Sequence, residues 1–270
     1  MDQAASPKWI VVGIDGSEAA INAARWAIPE ACARDVPLRL VHAVTPPKPD
    51  APPGDADLDT EYGETALRAA CAAVHATGQP VKIETDLVAG SPGAVLIDES
   101  RRAAMVCVGS VGIGRLARRV LGSTAADVAQ RAQCPAAVIR TSRGAQAPDS
   151  GSIAVVVDDS ADNDLVLEHG FREAQLRGAP ILALGVWRWG FGEIPFAQLD
   201  HRLGPWVRRY PGVHVRPAAA RDGVVEFLSD TQDPVHLAVI GPADAGKVAR
   251  LIGPVDPHFG HAGRSVLVAR

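Results

Sequence analysis

The stretch WIVVGIDGSEAAINAARWAIPEACARDVPLRLVHAV (residues 9–44) decides the fold, because it returns 143 positions later as SIAVVVDDSADNDLVLEHGFREAQLRGAPILALGVW (residues 152–187). Under that one offset Asp15 falls on Asp158, Ser17 on Ser160, Glu30 on Glu173 and Ala31 on Ala174. Arg34 likewise falls on Arg177 and Pro37 on Pro180, with no gap along the stretch. Further on the offset drops to 132, where MVCVG ending at Gly109 meets LAVIG ending at Gly241. At the end it is 130, with AAVIR (residues 136–140) over VLVAR (residues 266–270). A repeat of this length means that one supersecondary plan is used twice.

Each copy alternates short β-branched runs with helical stretches. In the first copy WIVVGI is followed by a helix from Glu18, then by LRLVHAV, a helix over Glu64 to His75, and VKIETDLV. A helix over Gly93 to Arg102, the strand AMVCVG, a helix from Ser123 and the strand AAVIR complete it. Uninterrupted apolar strands separated by helices predict an α/β fold with parallel strands covered on both faces. The expected domains are residues 1–142 and residues 151–270, joined by the small, polar TSRGAQAPDSG (residues 141–151). Pro29 should kink the first helix, because proline lacks the N–H that the helix needs. The proline-rich TPPKPDAPPGDAD (residues 45–57) is expected to form no regular element and to be a mobile surface loop.

Composition narrows the function classes. The chain has 270 residues, 47% of them hydrophobic, and a formal net charge of −4 with both signs spread along it. A broad electrostatic grip on nucleic acid or on an acidic membrane is not expected. No apolar run is long enough to cross a bilayer, and MDQAASPKW at the amino end lacks the build of a signal peptide. Cys32, Cys71, Cys107 and Cys134 have no metal-ligand spacing and read as reduced, structural thiols of a cytoplasmic protein.

The chemistry-bearing segment is VGSVGIGRLARRVLGSTAADVAQ (residues 108–130), in which Gly109, Gly112 and Gly122 are followed by Ser123 and Thr124. Gly109 and Gly112 are expected to take positive φ and to let a ligand approach without a Cβ in the way. Ser123 and Thr124 are expected to cap the following helix and to offer hydroxyls to phosphate oxygens. The N–H groups of its first turn, at the positive end of the helix dipole, attract an anion. Arg115, with Arg118 and Arg119, could add charge-assisted contacts, and a solvated face is the plainer reading of the last two. Gly13 and Asp15 close the first strand at the same edge, where open sheets of this class bind ligands. Asp15 is expected to meet a ribose hydroxyl or an adenine amino group, unless Asp15-Gly16 is an ordinary turn pair. Val41 is expected to pack on a base, and His42 and Cys107 to be packing residues.

These features resemble the universal stress protein family: the first strand with its Asp, the Gly-x2-Gly-x9-Gly-Ser/Thr loop and the closing CPAAVIR. The tandem form is similar to that of actinobacteria, as is REAQLRGAP in the second copy. The resemblance implies two tandem open, doubly wound, Rossmann-like domains, each with five parallel strands in the order 3-2-1-4-5. It also implies a regulatory ATP-binding protein of stress or dormancy. Asp15 and Val41 would hold the nucleoside, and Gly109, Gly112, Gly122, Ser123 and Thr124 the phosphates, with Mg²⁺. Pairing of closing strands across an interface implies a homo-oligomer such as a dimer, and a protein partner is expected but not identified. No catalytic residue and no protein metal site is assigned. A slow ATPase or self-phosphorylating protein, and an interaction scaffold that binds no nucleotide, stand as alternatives.

The second copy is expected to be degenerate. Its loop, VIGPADAGKVARLIGPVD, puts Asp244 where the second glycine should be, and Pro254 where a hydroxyl should follow Gly253. Pro257 and Gly260 weaken the helix beyond. Gly241-x4-Gly246-Lys247 imitates a Walker loop, but Val248 cannot ligate Mg²⁺ as Ser or Thr would. One nucleotide per chain is therefore expected, in the first half, with Asp158 left as a relic or turn residue. Trp187, Trp189, Trp206, Phe191 and Phe196 either cap the second core or form a partner surface.

Overall fold

A computed structural model describes residues 9–46, 55–112, 121–140, 151–186, 196–253 and 264–270. The chain divides into two compact units, Met1–Thr141 and Ser142–Arg270. In the first, β1 (Ile10–Gly13), α1 (Glu18–Arg34), β2 (Leu38–Val44), α2 (Asp55–His75) and β3 (Ile83–Ala89) follow in chain order. They are followed by α3 (Pro92–Glu99), β4 (Met105–Gly109), α4 (Ser123–Arg131) and β5 (Ala136–Ile139). The strands are ordered β3-β2-β1-β4-β5, and their pairings are parallel. Helices α1 and α2 pack together, and α3 and α4 form a second pair. Strand β4 is buried at four of its five positions, as an apolar strand covered on both faces must be.

The second unit repeats the plan with β6 (Ser152–Val157), α5 (Asn163–Arg177), β7 (Ile181–Gly185), α6 (Phe196–Arg209) and β8 (Val215–Ala219). Then come α7 (Val224–Asp230), β9 (Val235–Ile240), a 3-10 turn (Pro242–Lys247), α8 (Val248–Ile252) and β10 (Ser265–Val268). The order of its strands is β8-β7-β6-β9-β10. The fold is thus Rossmann-like α/β with parallel strands, as expected. Each unit by itself holds five strands in the expected 3-2-1-4-5 order. The closing strands β5 and β10 are buried at every position and apolar apart from Ser265.

Other differences are local. Helix α2 starts at Asp55, so the last residues of the expected irregular stretch 45–57 are helical. Asp57, Asp59 and Glu61 place carboxylates in its first two turns, where the helix dipole favours them; residues 47–54 lie outside the described residues. Helix α1 continues through Pro29 to Arg34. The carbonyl that loses its partner belongs to Arg25 on the exposed side, where water can satisfy it. Helix α3 begins on Pro92, a position where the missing N–H costs nothing.

Candidate nucleotide site

The chain leaves β1 toward β2 on one side and returns from β3 to β4 on the other, so the strand order reverses at β1. A crevice opens there beyond the carboxyl ends of the strands, as in other doubly wound folds. It encloses about 450 Å³ and is lined from β1, β2, α2, α3, β4 and α4. Register explains why these elements meet: Gly13 stands beside Val41 in β1–β2 pairing, and Val12 beside Cys107 in β1–β4 pairing. Of the nine expected ligand-holding residues, Gly13, Asp15, Val41, Gly109, Gly112, Gly122, Ser123 and Thr124 all line this one cavity. Arg115, Arg118 and Arg119 lie outside the described residues.

Asp15 has a divided role. Its Oδ1 accepts the Ser17 N–H at 2.9 Å, so the turn reading of Asp15-Gly16 is correct as far as it goes. The other oxygen faces Gly112, where an added Cβ would lie 2.7 Å from Oδ2. Gly16, at φ +83°, makes the bend. Ser17 caps α1 by accepting the Ala20 N–H at 3.1 Å. The Val41 carbonyl already accepts the Ile14 N–H at 2.8 Å, and its side chain is buried.

The glycines do not work as expected. Gly109, Gly112 and Gly122 are all absent from the positive-φ residues, so none is needed for a left-handed turn. Gly109 is demanded by packing, because its Cβ would lie 2.7 Å from the Ala19 backbone carbon. Gly122 sits at φ −63° with only ordinary contacts around an added Cβ. Gly122, not Ser123 or Thr124, occupies the N-cap of α4, and no side chain caps that helix. The Gly122 N–H donates to the Ser110 carbonyl at 2.9 Å, which anchors the cap. The uncapped first turn therefore presents its N–H groups, and the positive pole of the dipole, to the crevice. No Lys or Arg lies among the described lining residues, so the backbone supplies the positive end.

Two residues were undervalued by sequence reasoning. His42, expected to pack, is buried but lines the cavity, and its Nδ1 lies 2.7 Å from the Ile14 carbonyl oxygen. Tyr62, on α2, donates its hydroxyl to the Asp15 carbonyl at 3.0 Å. Asp59, Thr45, Pro92 and Leu96 complete that side of the wall. A signal was available in Gly63: a helix-interior glycine is costly and implies close packing, here against His42.

The second unit differs at each equivalent point. Asp158 Oδ1 accepts both the Ser160 N–H at 2.9 Å and the Ser160 hydroxyl at 2.6 Å, so this serine is turned to the carboxylate. No side chain caps α5. Asp244 stands in a 3-10 turn and pairs with Lys247 at 2.7 Å, which engages the lysine of the imitated Walker loop. The helix that follows is five residues long and ends at Gly253 with φ +71°. Pro254, Pro257 and Gly260 lie outside the described residues, as do Trp187, Trp189 and Phe191. Trp206 stacks on the buried Phe171 with ring centroids 6.1 Å apart, which fits the core-capping reading for that one ring.

Among the described residues no helix is long and apolar enough to cross a membrane, and no group of three or more metal-ligating side chains occurs. The four cysteines form no disulfide with one another, and Cys107 and Cys134 are buried while Cys32 is exposed.

Comparison with known proteins agrees with this construction. The sequence pattern of the universal stress protein family matches residues 7–140. The chain is 50% identical over 264 residues to Universal stress protein Rv2624c of Mycobacterium tuberculosis, covering 97% of this chain and 96% of the relative. It is 42% identical over 262 residues to Universal stress protein Rv3134c of the same organism, covering 92% of each. A crystal structure of a universal stress protein from Archaeoglobus fulgidus superposes with a TM-score of 0.68 at 15% identity, covering 98% and 97% of the two chains, and supports the fold. On these relatives and on its own repeated strand pattern, the chain belongs to the universal stress protein family.

Proposed function

We propose that the first unit binds one adenine nucleotide per chain, ATP with Mg²⁺, and that the protein acts as a regulator in a stress response. One observation carries the reading: a single crevice of about 450 Å³ joins a carboxylate at the nucleoside end to the uncapped N-terminus of α4. That volume lies within the range of small-molecule sites. The residues fit the ligand by their chemistry. The amides of the α4 first turn and the Ser123 and Thr124 hydroxyls suit phosphate oxygens. Asp15 Oδ2 suits a sugar hydroxyl or an amino group. Magnesium keeps several waters and usually binds through phosphate oxygens with one or two carboxylates, and Asp59 is the carboxylate in the wall not already assigned to the sugar. The bound metal would offset phosphate charge. The second unit, in this reading, holds no nucleotide, because Asp244 puts a carboxylate where phosphate would sit.

The test is to denature purified protein, identify released nucleotide by chromatography, and titrate stripped protein with Mg-ATP. A Gly122→Asp variant is run alongside. Adenine nucleotide near one per chain, lost in the variant, is expected. Retention without turnover of labelled ATP marks a regulator, and steady release of ADP marks a slow ATPase. Failure of both release and titration leaves an interaction scaffold and ends the binding reading.

A further inference from the structure

The β1–α1 turn is held by three successive hydrogen bonds, two of them from other elements. His42 Nδ1 is 2.7 Å from the Ile14 carbonyl oxygen, and a carbonyl only accepts, so Nδ1 carries the proton. One residue on, the Tyr62 hydroxyl donates to the Asp15 carbonyl at 3.0 Å. The Ser17 N–H then donates to Asp15 Oδ1 at 2.9 Å. Two glycines make room for the outer pair. A Cβ at Gly16 would fall on the Tyr62 hydroxyl, and one at Gly63 would lie 2.5 Å from His42 Cδ2. The His42 and Tyr62 rings meet edge to face, 6.0 Å apart. With Oδ1 committed to Ser17, only Oδ2 faces the crevice, beside Gly112.

We infer that Tyr62 is a sugar-specificity residue that works through Asp15. By holding the Asp15 carbonyl it fixes the peptide whose side chain carries Oδ2, so that Oδ2 accepts from a ribose hydroxyl in a set place. Tyr62 is thus a positioning residue and need not touch the ligand with its hydroxyl. Substrates that carry the hydroxyl gain from this constraint, and those that lack it do not. The inference rests on the proposed binding of an adenine nucleotide in the first unit.

Full-length wild type and Tyr62→Phe are titrated with Mg-ATP and with its 2′,3′-dideoxy analogue. The substitution keeps the ring and removes one hydrogen bond. It is expected to weaken ATP about three- to tenfold and to change the dideoxy analogue by less than about twofold. Equal weakening of both nucleotides, or of neither, overturns the inference. In nucleotide-free protein the Ser17 amide reads the same constraint by hydrogen exchange, and faster exchange in the variant is expected. Unchanged exchange overturns it too. If the wild type binds neither nucleotide, the binding reading and the sugar role fall together, while the Ser17 amide still decides whether Tyr62 holds Asp15.

Discussion

A methyl group added at Gly109 would lie 2.7 Å from the Ala19 backbone carbon and 2.9 Å from its oxygen, and neither atom can move without displacing α1. At Gly112 the same addition meets Asp15 Oδ2 at 2.7 Å, the tip of a side chain that can rotate. At Gly122 it meets the Ser110 carbonyl oxygen at 3.7 Å, an ordinary contact. Three glycines that look alike in the motif therefore separate under mutation. Gly109→Ala should lower the free energy of unfolding by about 1–3 kcal/mol, the usual cost of overpacking. Gly122→Ala should stay within about 0.5 kcal/mol of the wild type, because alanine's lower unfolded-state entropy offsets its poorer fit at the N-cap. Gly112→Ala should leave stability near that of the wild type and weaken nucleotide binding by displacing Asp15. Urea unfolding and nucleotide titration on the three variants check this, and a stable Gly109→Ala would show that α1 does not need the close approach. Loop spacing, strand-end position and the family resemblance picked out eight described residues that line one crevice. They could not reveal that Gly109 serves packing, because a sequence does not show what lies 3 Å away. Tyr62 was missed for the same reason, since its partner is a backbone carbonyl 47 positions earlier.

Helices α1 and α5 carry the repeat into the core as a buried ion pair in each copy. Glu30 pairs with Arg34 in α1, and Glu173 with Arg177 at 2.7 Å in α5. Both glutamates are buried, and each leaves Oε1 without a hydrogen-bond partner. The pattern Glu-x3-Arg at the 143 offset was legible in the sequence, but its burial was not, because charged i,i+4 pairs normally stand in solvent. Buried pairs of this kind gain little over apolar packing, whereas breaking one leaves an uncompensated charge. Arg177→Met should therefore destabilise the chain by about 3–5 kcal/mol. Adding Glu173→Leu should recover most of that loss, since the stranded carboxylate is then gone. A double variant as unstable as the single one would mean that Arg177 matters for other contacts. Element boundaries show a similar limit. The sequence predicts α2 from Glu64, yet it starts at Asp55, because proline-rich flanks hide an acidic first turn. Strand identity was easier to read, since a buried parallel strand announces itself as an unbroken apolar run.

Across the whole chain the two units share a strand order and differ at the ends of their strands. The repeat and the alternation of strands with helices were legible because they depend on patterns within the chain. The contacts at the strand ends were not, since they depend on what lies across space rather than along the chain. The functional difference between the units is also local. Asp15 turns Oδ2 toward a crevice and leaves the Ser17 hydroxyl to cap α1, while the Ser160 hydroxyl is drawn instead to Asp158 Oδ1. Gly112 faces Asp15, while its counterpart Asp244 is tied to Lys247. Nucleotide should therefore leave an asymmetric footprint. Ligand that binds only the native state stabilises the chain by about 2.7 kcal/mol at a hundredfold excess over Kd. That gain slows every amide that exchanges by unfolding of the whole unit that holds the ligand, and so cannot locate the site within it. Amides that exchange by local opening can, since only those near the ligand are slowed. With saturating Mg-ATP, new protection is expected over residues 13–17, 41–45, 109–112 and 122–125. The equivalent stretches 156–160 and 241–247 should exchange as before. Matching protection in both sets, with about two nucleotides bound per chain, would show that Asp244 and Lys247 separate to admit phosphate and that the second copy has kept its site.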